Sequence, residues 1–526
     1  MFLRPVILLL ALGLVAVLAP TIGAPASSST GGAAGGVSFL HGDLPVDFDA
    51  PTALAYGPDG RLYVASDGDI LVVTLTASGL GVADLDFVAQ NVGLTLGLAF
   101  DPTAKTPTLY AAHQEAGATN GFQGVISAFT APDWQREDVI TGLPSSAPTN
   151  NHFTNGLAFD ETGRLFIAQG SATDAGFTGG TYWPETPLSS AILVADVHEP
   201  GFDGQLTYDP SGPPADHNVD LASGDVSVFA PGLRNPYDLA LHSNGYLYAT
   251  DNGPIGPSYS DSCSTTALGA NTADELNLIE EGNYYGFANR NRGRFDARQC
   301  SYRFADEASK ADYTAPIATL PSHCSCDGLA EYTSDVFGGE MQGDLIYAQW
   351  GFGTISRARL SEDGRSVLST DVVSAAFEQP LDLVVSPNGT IYVADFNDNI
   401  VGYLAPEVPT PQPTPTPTRT ATASPTASPT SPPGATPTAT TTPGSPSPTP
   451  TRTATHTDPV PALGDVNCNG TVNSIDALLL LQFVAGLGNT LPCQDYADVD
   501  LNGTVNPVDA ALILQFDAGL IDQLPP

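Results

Sequence analysis

A short apolar strand, a turn, and a second strand carrying Tyr or Phe recur six times along this chain. The pairs are Pro51–Tyr56 with Gly60–Ala65, Leu96–Asp101 with Leu109–Ala112, and Asn155–Asp160 with Gly163–Ala168. They continue as Pro236–Leu241 with Gly245–Thr250, Gly328–Tyr332 with Gly343–Ala348, and Pro380–Val385 with Gly389–Ala394. Strand pairs spaced by tens of residues, with few helix signals between them, read as radial β repeats. Each copy buries its faces only against its neighbours, so six blades around a channel is the natural closure. Pairing of Ile400–Leu404 with Val37–Leu40 would close the ring. The expected fold class is mainly β, with a six-bladed β-propeller over residues 36–405.

The chain has 526 residues, too many for one ordinary core, and its composition changes twice. Residues 406–461 are almost entirely Thr, Pro, Ser and Ala. Such a stretch cannot bury a core, and its prolines favour extended polyproline II. It reads as a disordered, semi-rigid linker and a candidate O-glycosylated stalk. A compact segment, residues 463–526, follows.

The N-terminus reads as an export signal over residues 1–24, with Arg4, then the apolar run Val6–Leu18, then Pro20, Gly23, Ala24 and Ala26. The apolar run is short for a spanning helix, so no membrane span is expected once the signal is removed. A secreted, extracellular or cell-surface location follows. Export permits disulfides among Cys263, Cys300, Cys324, Cys326, Cys468 and Cys493, with connectivity open in the propeller. Lys and Arg number 17 against 57 Asp and Glu, a formal net charge of −40. A surface this acidic repels nucleic acid and anionic lipid, which are not expected partners, and suits divalent cations.

Two C-terminal segments match each other: Asp465–Asp476 and Asp498–Asp509. Loop positions 1, 3, 5 and 12 carry Asp465, Asn467, Asn469 and Asp476 in one, and Asp498, Asp500, Asn502 and Asp509 in the other. Gly470 and Gly503 stand at position 6, and Thr471 and Thr504 offer the position-7 carbonyl. This is calcium-loop spacing: hard oxygens early, a glycine for the turn, and a carboxylate to close the shell. Asp replaces the usual Glu at position 12. An apolar helical run follows each loop, and none precedes the first. That half of an EF-hand, duplicated, resembles the type I dockerin module. The resemblance implies a cohesin-type protein partner, selected at Ser474-Ile475 and Pro507-Val508. Cys468 and Cys493 would staple this module, or remain two buried thiols.

Three stretches of the propeller carry a second resemblance: Gly232-Leu-Arg-Asn-Pro-Tyr-Asp-Leu-Ala240; Asp251-Asn-Gly-Pro254 with Asp274-Glu-Leu-Asn…Tyr284-Tyr-Gly286; and, more weakly, Asn151-His152. Together they resemble the glucose/sorbosone dehydrogenase family, six-bladed propellers that use pyrroloquinoline quinone (PQQ) and calcium. The resemblance implies His152 as the base that takes a sugar hydroxyl proton while hydride moves to the quinone. It places Arg234 and Asn235 beside the quinone. It gives the Gly253 and Pro254 carbonyls to an active-site calcium, and Asp274, Glu275 and the Tyr285 carbonyl to a structural one. Ser322-His323 resembles the sorbosone branch, making His323 a further cofactor-binding candidate.

This sequence departs from the family's soluble glucose dehydrogenases at several cofactor positions. Val92 stands for a Gln, Trp350-Gly351-Phe352 for a Lys, and Gln379-Pro380-Leu381 for two Arg. Two functions remain open: a PQQ- and calcium-dependent sugar oxidoreductase displayed through the dockerin, or a non-catalytic propeller that binds glycan or protein. A carbohydrate or small-molecule ligand is expected. No carboxylate pair can be placed across a sugar for glycoside hydrolysis, and no glycine-rich dinucleotide fingerprint is present.

Overall fold

The computed structural model describes residues 37–116, 122–146, 152–176, 185–209, 219–254, 273–293, 296–300 and 312–407. At the C-terminal end it describes 463–466, 472, 474–484, 491, 493–499, 501, 504–517, 521, 523 and 524. The export signal, nearly all of the linker, and Asn467, Asn469, Thr471, Asp500 and Asn502 lie outside them. The chain divides into two compact units, Met1–Thr418 and Arg419–Pro526.

The first unit is a propeller of six four-stranded antiparallel sheets. The innermost strands are Pro51–Tyr56, Leu94–Phe100, Thr154–Phe159, Pro236–Leu241, Cys326–Glu331 and Pro380–Val385. These are the first halves of the six sequence pairs, and Val, Leu, Ala and Tyr fit them to a strand buried on both sides. The ring closes in the last blade. Phe39–Asp43 pairs with Ile400–Pro406, in register from Phe39↔Pro406 to Asp43↔Gly402. Strand order there places Ile400–Pro406 in the sheet interior and Phe39–Asp43 at its edge.

The core lies between blades. Leu54, Leu62 and Val64 of blade 1 pack with Tyr392, Ala394 and Val401 of blade 6. Side chains also tie one blade to the next. Asp382 accepts the Leu54 N–H at 2.6 Å, and Asp238 accepts the Leu329 N–H at 2.8 Å. The Tyr392 hydroxyl donates to the Gly79 carbonyl at 2.7 Å, and the Tyr332 hydroxyl to Gly389 at 2.9 Å. Buried acceptors and hydroxyls need such partners.

The second unit contains helices Ser474–Val484 and Pro507–Asp517. They share a small core in which Val466, Ala477 and Leu480 repeat as Val499, Ala510 and Ile513. Cys493 is disulfide-bonded; Cys468 lies outside the described residues. Among the described residues, no helix is long and apolar enough to cross a membrane.

Candidate functional site

The strand order brings two sets of connections to one mouth of the ring: those leading into each innermost strand, and those between the second and third strands of each blade. Backbone hydrogen bonds stitch the sets together, as Ser171 N to Arg234 O at 2.8 Å and Asn252 N to Asn235 O at 3.2 Å. His152, Arg234, Asn235, Gly253 and Pro254 all lie in these connections.

His152 is buried, and its Nδ1 lies 2.9 Å from Ser171 Oγ, which donates to the Thr173 carbonyl at 2.5 Å. With the hydroxyl proton so committed, Ser171 accepts from Nδ1, which leaves the Nε2 lone pair free to take a proton. Burial, and then the Arg234 charge, holds the imidazole well below its usual range, so it is neutral. A Cβ on Gly170 would lie 2.8 Å from both His152 Cβ and Asn235 Oδ1, so glycine there lets the two side chains converge.

Arg234 forms an ion pair with Asp174 at 2.6 Å, and donates to the Asp174 and Asn252 carbonyls at 3.0 and 2.9 Å. Three of its five N–H groups are thereby used, and two remain. The Asp251 carboxylate grips this segment by accepting the backbone N–H groups of Arg234 and Asn235, at 3.0 and 2.7 Å. Asn235 Oδ1 accepts from the Asn155 amide at 3.1 Å. Gly232, just before, has φ +97°, and a Cβ there would meet Tyr284 at 2.5 Å. Only glycine allows that approach.

A small cavity beside Arg234 is lined by Gly232, Asp251, Gly253, Glu275, Tyr285 and Phe287. Burial pushes Asp251 up to about 7; burial and then the Asp251 charge push Glu275 up to about 8. Burial also raises Asp274, whose oxygens accept the Gly253 and Cys326 N–H groups at 2.9 and 3.1 Å. The carbonyl oxygens of Asn252 and Asn277 side chains are buried without donors. Two carboxyls raised by burial, Asp251 and Glu275, line the cavity beside a single arginine, and their hard oxygens suit a calcium ion. The residues present therefore fit calcium. Glu275 and Tyr285 line this cavity together with Gly253, whereas Asp274 turns its oxygens to backbone donors. His323 is exposed, with φ 56°, beside the Cys324–Cys326 disulfide.

Sequence reasoning missed Asp251, Asp174 and Ser171. Asp251 had a visible signal: Asp395 closes the equivalent strand of blade 6 and grips the Glu378 and Gln379 N–H groups, at 2.7 Å each.

In the C-terminal unit, Asp465, Asp476 and Asp509 are fully buried. Asp476 accepts the Val466 N–H at 3.0 Å, and Asp509 accepts those of Val499 and Asn506 at 2.7 and 2.9 Å. The last carboxylate of each loop is thus turned back onto the second loop residue, a donor set that fits calcium. Asp498 is half-buried and Thr504 exposed.

Fold and site define a six-bladed propeller with a polar, cation-seeking centre at one mouth of its ring. The chain belongs to the glucose/sorbosone dehydrogenase family, whose model matches residues 48–402, and a dockerin type I domain matches residues 463–516. It is 26% identical over 268 residues to quinoprotein glucose dehydrogenase B of Acinetobacter calcoaceticus, covering 46% of this chain and 51% of that protein. The chain thus spans about half the length of that curated relative. The PQQ domain of a pyranose dehydrogenase from Coprinopsis cinerea is similar in structure, with TM-score 0.50 and 14% identity, over 72% of this chain and 97% of that one. A solved glucose dehydrogenase gives TM-score 0.50 and 18% identity, over 70% and 99%. At these identities the structural likeness shows the fold.

Proposed function

We propose that this protein is a secreted sugar oxidoreductase that uses calcium and PQQ, tethered to a cohesin-type partner through its dockerin. The observation that carries this reading is His152: neutral, aligned by Ser171, and close to Arg234 at the mouth of the ring.

The Gly253 and Pro254 carbonyls, with Glu275 and the Tyr285 carbonyl nearby, would hold calcium at this mouth and in the cavity behind it. Arg234 keeps two N–H donors for an anionic quinone, fixed in place by Asp174 and by Asp251 beneath its backbone. Bound PQQ would supply the two-electron acceptor for the hydride. His152 Nε2 takes the proton from the sugar hydroxyl, and Arg234 disfavours a second positive charge on the ring, so the base returns to neutrality. Asn235 and Asn155 buttress the imidazole wall, where water would compete for the proton. The family match supports carbohydrate as the substrate class. The dockerin match supports extracellular display and a docking module over 463–526; the same reading takes residues 1–24 as the signal and 406–461 as the linker.

The test is titration of PQQ into the full-length, calcium-loaded protein, followed by dye reduction with a panel of aldoses. Stoichiometric binding is expected, with sugar-dependent reduction falling at least about 100-fold in His152→Ala while PQQ still binds. No binding at high micromolar PQQ would overturn the oxidoreductase and leave a propeller whose work is recognition.

A further inference from the structure

Glu185 stands in the same blade 3 connection as Ser171 and Asp174, between strands Leu165–Gln169 and Ala191–Ala195, and it is fully buried. Its Oε1 accepts the Thr173 N–H and hydroxyl at 3.0 and 2.5 Å. Its Oε2 accepts the Ala172 N–H and the Ser189 hydroxyl at 3.0 and 2.5 Å. Four donors on two oxygens fill what an ionised carboxyl can accept. Burial raises this carboxyl; the Ser189 and Thr173 side chains, the Ala172 N–H and the Arg292 charge oppose the rise. Arg292 also donates to the Pro187, Ser189 and Ser190 carbonyls at 3.0, 2.8 and 3.0 Å, which fastens the far end of the connection. The residues that Glu185 holds, Ala172 and Thr173, are flanked by the two that set the site. Ser171 lies before them, its hydroxyl on the Thr173 carbonyl at 2.5 Å and 2.9 Å from His152 Nδ1. Asp174 follows, its carbonyl and carboxylate holding Arg234 at 3.0 and 2.6 Å. Thr173 Oγ1 accepts the Gly176 N–H at 2.9 Å and closes the turn beyond Asp174.

We propose that Glu185 is the positioning residue of this site, one buried carboxylate that sets the His152 tautomer through Ser171 and the Arg234 guanidinium through Asp174. The proposal rests on the oxidoreductase reading above and names the group that holds its base and its cation in one frame. Glu185 acts only through these neighbours. If the Thr173 peptide turned, its carbonyl would release the Ser171 hydroxyl proton, which could then point at His152 Nδ1. The imidazole would carry its own proton on Nε2 instead, and that nitrogen could no longer accept one. The same turn would carry Asp174 away from Arg234. Small displacements of reacting groups cost large factors in rate, so a charged clamp on this turn has a use that a neutral one would serve less well.

The experiment uses full-length, calcium-loaded protein with the imidazole nitrogens of its eight histidines isotopically labelled, His152→Ala assigning the His152 signals in the magnetic resonance spectrum. The parent should show a neutral His152 with its proton on Nδ1. Glu185→Gln places an amide donor where an acceptor is needed, and should give a mixture of tautomers. At saturating PQQ, kcat for sugar-dependent dye reduction should fall about 10-fold or more while KM changes less than about 3-fold. PQQ itself should bind about 10-fold more weakly, because Arg234 loses the hold of Asp174. Thr173→Val keeps the side-chain shape without the hydroxyl and should move the tautomer and kcat the same way by less; Thr173→Ser should recover most of the loss. Thermal melting confirms that the variants fold. An unchanged Nδ1–H signal in folded Glu185→Gln and Thr173→Val would overturn the proposal, as would a loss of rate with the tautomer intact. The tautomer is read without PQQ, so its shift in Glu185→Gln, together with no PQQ binding by the parent, would sink only the oxidoreductase. Dye reduction by the parent that Glu185→Gln leaves undiminished would sink only the positioning role.

Discussion

Glu275 shows at the scale of one residue how a site can oppose the fold that holds it. Its carboxyl is buried against Asp251 and is pushed up to about 8. Without a cation, that carboxylate is expensive at neutral pH. Glu275→Gln should therefore lower calcium affinity of the propeller by about 10-fold or more. In the presence of chelator the same variant should melt at a higher temperature than the parent; scanning fluorimetry with and without EDTA checks both signs. Legibility at this scale was uneven. The Arg-Asn-Pro and Asp-Glu-Leu-Asn stretches pointed to Arg234, Asn235 and Glu275, because those residues sit in motifs of their own. Asp251 stood at the head of a quoted stretch without a role of its own, and Asp174 was not legible. Asp251 acts on backbone N–H groups, and Asp174 lies 60 residues before the Arg234 it pairs with.

Elements were the most legible scale. Each blade begins with an apolar strand and a Tyr- or Phe-bearing second strand, and all six pairs form as adjacent strands. Outer strands carried weaker signals. Val82–Ala89 and Val367–Ser374 are mostly exposed and alternate poorly, so only pairing with the third strand defines them. In the C-terminal unit, loop and helix are coupled through one carboxylate. Asp509 holds both Val499, near the loop's start, and Asn506, at the threshold of helix Pro507–Asp517. Asp509→Ala should lower calcium affinity of the second loop about 10-fold or more. Far-ultraviolet circular dichroism of the full chain should then show less helical signal at a fixed, limiting calcium concentration. A signal unchanged by both mutation and chelator would separate the helices from the metal.

At the scale of the whole molecule, the propeller is held by links from each blade to the next. Asp382 is one of them, and burial pushes its carboxyl up to about 7. The folded state thus favours the protonated form relative to the unfolded chain. The stability this contributes is complete below the unfolded value near 4, and is lost as pH rises through about 7. Urea midpoints of calcium-loaded protein should fall between about pH 5 and pH 8, and Asp382→Asn should flatten that slope. The ring's last blade has a mechanical meaning. Strand Ile400–Pro406 is flanked on both sides by hydrogen-bonded strands, and the Thr/Pro-rich segment leaves from its end. A load arriving through that segment meets two ladders in shear before any residue can be peeled away. The tether is spliced into the weave of the sheet, as a rope is spliced rather than knotted at a frayed edge.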